Sequence, residues 1–142
     1  MTGYVWFLVI ALAIWLGFSF YRRFKMTSSA SSKPDSEKLT ILSDATFKKQ
    51  ISKGVSLVDF WAGWCTPCKI QGPVVSELAD EMSDKAKICK LDVQRNQRIP
   101  GELGIRNIPT IMIFKDGKMV SKFVGVKTKS VLMKGLKSAL ES

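Results

Sequence analysis

At 142 residues, 46% of them hydrophobic, the chain has room for one ordinary domain and an appendage. Its 22 basic and 12 acidic residues leave a formal charge of +10, but the basic residues after Lys38 are scattered over helices, strands and turns. With no nucleic-acid motif beside them, a solvated surface is expected and nucleic acid is not expected as a partner. The absence of histidine excludes Cys-His and Ser-His-Asp catalysis, and three cysteines make no disulfide scaffold, so thiols, carboxylates and lysines remain for chemistry.

Residues 4–21, YVWFLVIALAIWLGFSFY, carry no charge. As a helix rising 1.5 Å per residue they would span about 27 Å, close to the ~30 Å hydrocarbon core of a bilayer. A membrane-spanning helix is predicted, in contact with lipid through residues 4–21, with Tyr4 and Trp6 at one interface and Phe20 and Tyr21 at the other. A buried core helix fits poorly, because a domain of this size does not easily cover a helix that is apolar on every side. A removable signal peptide carries its positive residues ahead of the apolar stretch. Here Arg22, Arg23 and Lys25 follow it, and that cluster argues against cleavage near Ser28 and Ala30. Residues 1–26 are therefore expected to be an uncleaved single-pass anchor, its carboxyl-terminal side in the cytoplasm by the positive-inside rule. Residues 27–37, polar and serine-rich, are expected to form a flexible linker, and residues 38–142 one domain.

From residue 38 strand-like and helix-like segments alternate, the pattern of an α/β domain with a largely parallel sheet. A first strand over 38–42 leads to a helix capped by Ser43, with Phe47 and Ile51 on one face. Residues 55–60 read as an interior strand. Immediately after it come Trp64-Cys65-Thr66-Pro67-Cys68.

Two cysteines separated by two residues at the start of a helix suit a redox dithiol. Such a site needs one exposed, partly ionised thiol and a second within reach of the mixed disulfide that the first one forms. Unpaired N–H groups and the positive dipole end favour a thiolate at Cys65, and Pro67 suits the first turn. A structural disulfide is the alternative. Half of a zinc site is another, for which the chain has no histidine and only Cys89 as a further thiol.

The helical stripe continues through Leu78, Ala79 and Met82, with a kink expected at Pro73. Residues 86–93 form a third strand, and a short helix is expected near 101–103. Strands over 110–114 and 119–124 flank Lys115-Asp116-Gly117-Lys118, a tight hairpin turn. A last helix places Leu132, Leu136 and Leu140 on one apolar face.

Taken together, Val58-Asp59-Phe60-Trp61-Ala62, Trp64-Cys65-Thr66-Pro67-Cys68-Lys69, Lys90-Leu91-Asp92-Val93, Gly104-Ile105-Arg106-Asn107-Ile108-Pro109-Thr110, Phe114-Lys115-Asp116-Gly117 and Val124-Gly125 resemble the thioredoxin family. The resemblance covers residues 39–140. It implies a thioredoxin fold, a central five-stranded mixed sheet flanked by helices, and dithiol–disulfide exchange with no bound cofactor or metal.

By the same resemblance Cys65 is the attacking thiolate and Cys68 the resolving thiol. Asp59, a carboxylate inside an apolar strand, is expected to have a raised pKa and to accept the proton of Cys68. Lys90 would moderate its charge. Pro109 matches the family's cis-proline, beside which the backbone of Ile108 pairs with substrate. Trp61, Trp64, Pro67, Ile108 and Gly125 would line an apolar docking surface, and Cys89 would be an inert strand residue. Thr66 stands where thioredoxins usually carry glycine, a position that tunes the reduction potential.

The implied partners are disulfide-containing protein substrates and a thioredoxin reductase or membrane electron donor. An exported thioredoxin-like protein for disulfide isomerisation or cytochrome maturation is the alternative within the same chemistry. A non-catalytic adaptor with the same fold is the alternative outside it.

Overall fold

The computed structural model describes residues 2–27 and 34–142, which form two separate units divided between Lys33 and Pro34. The first unit is a single helix, α1 (Thr2–Thr27). Its segment Gly3–Tyr21 has a mean hydropathy of 2.0 and none of it is buried, so it is not a core helix. Among the described residues it alone is long and apolar enough to cross a membrane, a property that anchors and signal sequences share. Most of the expected linker, residues 28–33, lies outside the described residues. Its last four residues, 34–37, belong to the second unit.

The second unit begins with β1 (Thr40–Leu42), α2 (Phe47–Ile51), β2 (Val55–Trp61), α3 (Thr66–Met82) and β3 (Lys87–Asp92). It continues with α4 (Arg98–Glu102), β4 (Thr110–Lys115), β5 (Lys118–Val124) and α5 (Lys129–Glu141). The sheet order is β1-β3-β2-β4-β5. The pairings β1–β3 and β2–β3 are parallel, while β2–β4 and β4–β5 are antiparallel. This is the five-stranded mixed sheet expected from the sequence.

Side chains on a strand alternate between faces, and both faces of β2 are covered. Val55 and Leu57 pack with Val75 and Leu78 of α3 and with Leu132 and Leu136 of α5. Val58 and Phe60 pack on the other side with Phe47, Ile51 and Ile99. Burial on both faces explains why β2 reads as a continuous apolar run. Asp59 follows Leu57 by two residues, so it projects on the α3 side.

At the hairpin, Asp116 and Gly117 both adopt positive φ, 47° and 82°, the paired left-handed turn that lets two twisted strands meet. Asp116 Oδ1 also accepts a hydrogen bond from Gly54 N at 2.8 Å, fastening the turn to the start of β2.

Three local expectations are corrected. Ser43 does not cap α2, which starts at Phe47; Ser43 closes the preceding turn, donating its amide to Thr46 Oγ1 at 2.9 Å. The short helix begins earlier than expected, at Arg98, because Asp44 reaches its amino end from 54 residues away. Its carboxylate accepts from Ile99 N at 2.9 Å and Arg98 N at 3.1 Å, and these bonds, that to Ile99 foremost, hold the Asp44 carboxyl below its ordinary pKa. In α5, Leu140 is 36% exposed and Ala139 is buried in its place. At 3.6 residues per turn, a stripe starting at 132 and 136 returns at 139.

At Gly135 α5 lies tight against side chains of the sheet: a β-carbon there would meet Ile113 Cδ1 at 2.9 Å and Phe123 Cζ at 3.2 Å. Gly135→Val should destabilise the unit by about 1–3 kcal/mol through overpacking, seen as a lower midpoint in thermal unfolding followed by tryptophan fluorescence.

Candidate active site

Cys65 and Cys68 are joined by a disulfide, their Cα atoms 5.3 Å apart. Cys65 is the N-cap of α3, with extended backbone (φ −86°, ψ 109°), and Pro67 falls in the first helical turn, where its missing N–H breaks no helical bond. The amide of Cys68 points back at Cys65 Sγ, 3.2 Å away. The helix end therefore aims an N–H donor and its positive dipole at this sulfur. Both are features that stabilise a thiolate.

Both cysteines are buried, each 4% exposed, in a small cluster with Ala62 against which Trp61, Val93 and Ile108 pack. The expectation of an exposed attacking thiol is corrected here. In the oxidised pair the two sulfurs face one another and these apolar neighbours close around them. What stands exposed is the rim: Thr66, Pro67 and above all Trp64, which is 68% exposed. Trp61, at the end of β2, is half-buried, with Lys90 Nζ 4.4 Å from its ring centroid.

The Ile108–Pro109 peptide is cis. Pro109 is buried and Ile108 half-buried, and the Ile108 carbonyl oxygen lies 3.8 Å from Cys65 Sγ. Gly125, at φ 81°, donates its amide to the Pro109 carbonyl at 2.8 Å. Glycine suits that left-handed backbone, and the bond ties the end of β5 to the loop beside the disulfide. Thus Cys65, Ile108, Pro109 and Gly125, far apart in sequence, are linked in one chain of contacts.

Asp59 is fully buried, and neither carboxylate oxygen has a hydrogen-bond partner among the described residues. Burial pushes its pKa up to about 7, against the opposing pull of the Lys90 ammonium. Asp59 and Lys90 are register partners on β2 and β3. They sit on one face of the sheet, since Lys90 follows the buried Ile88 of the α3 side by two residues. A carboxyl that titrates near neutrality in an apolar interior can take and return a proton at physiological pH.

Cys89 is buried between the sheet and α2, on the face opposite the dithiol. Burial pushes its thiol up to about 12. Brief alkylation of the reduced, folded protein should therefore modify the Cys65–Cys68 pair and leave Cys89 untouched, which peptide mass spectrometry will read.

Several participants escaped sequence reasoning. Val93 packs against the cluster of Ala62, Cys65 and Cys68 and donates its amide to the Trp61 carbonyl at 2.9 Å; an apolar residue at a strand end gives no hint of this. Gln71, fully buried on α3, accepts from Lys127 N at 2.7 Å through Oε1. Asp35, which composition assigned to the linker, pairs with Lys90 at 3.1 Å. Among the described residues no group of three or more Cys, Asp or Glu is placed to hold a metal ion.

The Thioredoxin family model matches residues 38–138. A thioredoxin from Bacillus subtilis is 49% identical over 89 residues, 63% of this chain and 86% of that protein. One from Pseudomonas aeruginosa is 44% identical over 99 residues, 68% of this chain and 92% of that protein. Among solved structures, a mutant thioredoxin from Halobacterium salinarum superposes with a TM-score of 0.69 at 32% identity, covering 75% of this chain and 96% of its own.

Proposed function

The chain belongs to the thioredoxin family and is a thiol–disulfide oxidoreductase, and from that premise we propose that it is a membrane-anchored thioredoxin that reduces protein disulfides on the cytoplasmic side. The observation that carries the chemistry is the Cys68 amide aimed at Cys65 Sγ at the amino end of α3. A donor and a helix dipole at one sulfur favour a thiolate there once the pair is reduced, which supports the reading of Cys65 as the attacker.

The reaction balances as follows. In the reduced enzyme the Cys65 thiolate attacks one sulfur of a substrate disulfide; that bond breaks, a mixed disulfide to Cys65 forms, and the departing substrate thiolate takes a proton. Cys68 then gives its proton to Asp59 and attacks Cys65 Sγ. The mixed disulfide breaks, the Cys65–Cys68 bond forms, and the second substrate sulfur leaves as a thiolate that takes up a proton from Asp59 or water. Two electrons have passed to substrate. The family implies a reductase-type partner to return the pair to the dithiol state. Lys90 moderates the charge of Asp59, while Trp61, Trp64, Pro67, Ile108, Pro109 and Gly125 form the surface on which an extended substrate segment lies. Thr66 sets the potential at which the pair works.

The anchor reading rests on the exposed apolar segment Gly3–Tyr21 and on Arg22, Arg23 and Lys25 directly after it. It makes residues 1–26 the anchor and the serine-rich stretch that follows the tether of a catalytic unit that starts at Pro34 rather than at 38, since Asp35 and Ser36 are fastened to Lys90 and α3. The adaptor alternative has no need of an unpartnered buried Asp59, which a non-catalytic domain gains nothing by keeping.

Two measurements test the proposal together. The full chain in lipid nanodiscs, given NADPH and a thioredoxin reductase, should reduce insulin disulfides with one NADPH consumed per disulfide. Carboxyl-terminal fusions in bacteria should give active β-galactosidase and inactive alkaline phosphatase. Active phosphatase would place the domain on the exported side and favour a role in isomerisation or cytochrome maturation.

A further inference from the structure

The residue that engages Lys90 lies outside the thioredoxin match. That match begins at residue 38, whereas Asp35 belongs to the short segment just before it. Its carboxylate Oδ2 sits 3.1 Å from Lys90 Nζ. The Lys90 side chain is 8% exposed and that of Asp35 49%, so a largely buried ammonium is met by a half-exposed acid. The segment is fastened right after Asp35, at Ser36. Ser36 donates its amide to the buried Ser76 Oγ of α3 at 2.6 Å, and its hydroxyl donates to Asp80.

One buried ammonium is thus shared. Asp35 holds it directly from the amino-terminal segment, and Asp59 faces it as a register partner across β2 and β3. The surroundings leave few other charges to act on either group. On this face α3 and its cap bring Cys65, Cys68 and Ser76, while the charged residues of α3, Lys69, Glu77, Asp80 and Glu81, are all exposed. Strand β4 contributes Ile111 and Ile113, and α5 contributes Leu132 and Leu136. Lys129 of α5 is engaged outside by Glu77 and Glu81. The Trp61 ring closes over Lys90 from β2.

We propose that Asp35 is a positioning residue of the redox site: by holding Lys90 it withholds positive charge from Asp59, and so sets the pH at which Asp59 changes protonation. The consequence for turnover rests on the reading of Asp59 as proton acceptor, but the electrostatic coupling itself does not. The negative charge of Asp35 also opposes ionisation of Asp59 directly, in the same direction. The device belongs to this chain's own approach to the domain, and it means that a truncation starting at the family boundary would change the site it was meant to isolate.

The test uses the oxidised full chain in nanodiscs, where the cysteines do not titrate. With 13C-labelled aspartate, the Asp59 carboxyl signal is identified by its loss in Asp59→Asn and followed against pH. In the parent it should titrate near 7. In Asp35→Asn the midpoint should fall by roughly half a pH unit or more, and in Lys90→Gln it should rise. In the Lys90→Gln background, Asp35→Asn should shift it by less than half as much. An unchanged midpoint in Asp35→Asn would overturn the proposal. A shift equal in both backgrounds would overturn it too, because Asp35 would then act without Lys90. Neither result touches the acceptor role of Asp59, which turnover by Asp59→Asn decides separately. Asp35 is half exposed and replaced by an isostere, so the variant is expected to fold.

Discussion

Cys65→Ser should reduce insulin disulfides no faster than the uncatalysed dithiol control, and Cys68→Ser should accumulate substrate proteins bonded to Cys65. The two results follow from one asymmetry. Only Cys65 Sγ receives the Cys68 amide and sits at the cap of α3, so a hydroxyl there leaves no thiolate to begin exchange. Removing the Cys68 sulfur leaves the amide in place. Attack by Cys65 continues, but the mixed disulfide then lacks the intramolecular thiol that would resolve it. Non-reducing gels of the Cys68→Ser variant should show discrete adducts that collapse on reduction, absent from the Cys65→Ser, Cys68→Ser double variant. If Cys65→Ser kept full activity, the enzymatic assignment would fail. If Cys68→Ser trapped nothing while the parent turned over, the roles of the two cysteines would have to be exchanged.

How much of this was legible in the sequence depends on whether the signal is local. The Cys-x-x-Cys at a helix start, the apolar run of β2 and the Asp-Gly hairpin each announce themselves within a few residues, because periodicity, capping and turn chemistry are short-range. The join of Ile108–Pro109 to Cys65 is long-range and could be expected only through the family resemblance. Failures have the same origin. Ser43 carries the right side chain for a cap, but Asp44 beside it is committed to the amino end of α4, and the chain turns once more before α2 begins. Leu140 matched a spacing of four that a helix does not sustain over two turns. Asp35 looked like linker because Pro-Asp-Ser is polar, and nothing local reveals that an ammonium from residue 90 comes up beneath it. The burial of Cys65 escaped for a related reason: its neighbours Val93 and Ile108 arrive from other elements.

The second large effect is expected at Asp59, where one substitution should move activity and stability in opposite directions. Asp59→Asn keeps the shape and removes the titration. Without a group to take the Cys68 proton, the resolving step should slow by about 10²-fold or more, visible as mixed disulfide that builds up during single turnover. Stability should change the other way. Burial holds the pKa of Asp59 at about 7 in the folded protein against an ordinary value of 3.8. Between those values the folded protein binds the proton that the unfolded chain has released, so the parent loses stability as pH rises through the interval and stays low above it. Each tenfold in proton affinity is about 1.4 kcal/mol. The stability of Asp59→Asn relative to the parent should therefore grow by roughly 2–3 kcal/mol between pH 5 and pH 8, a difference from which any constant contribution of the buried amide cancels. Urea unfolding of the oxidised proteins at the two pH values measures it. A pH-independent difference would mean that the carboxyl titrates near its ordinary value, and its use as a proton acceptor near neutrality would then lose its basis. The buried charge is a standing cost at neutral pH in a strand that is mostly apolar on both faces, and the two measurements together decide whether turnover of the dithiol depends on it.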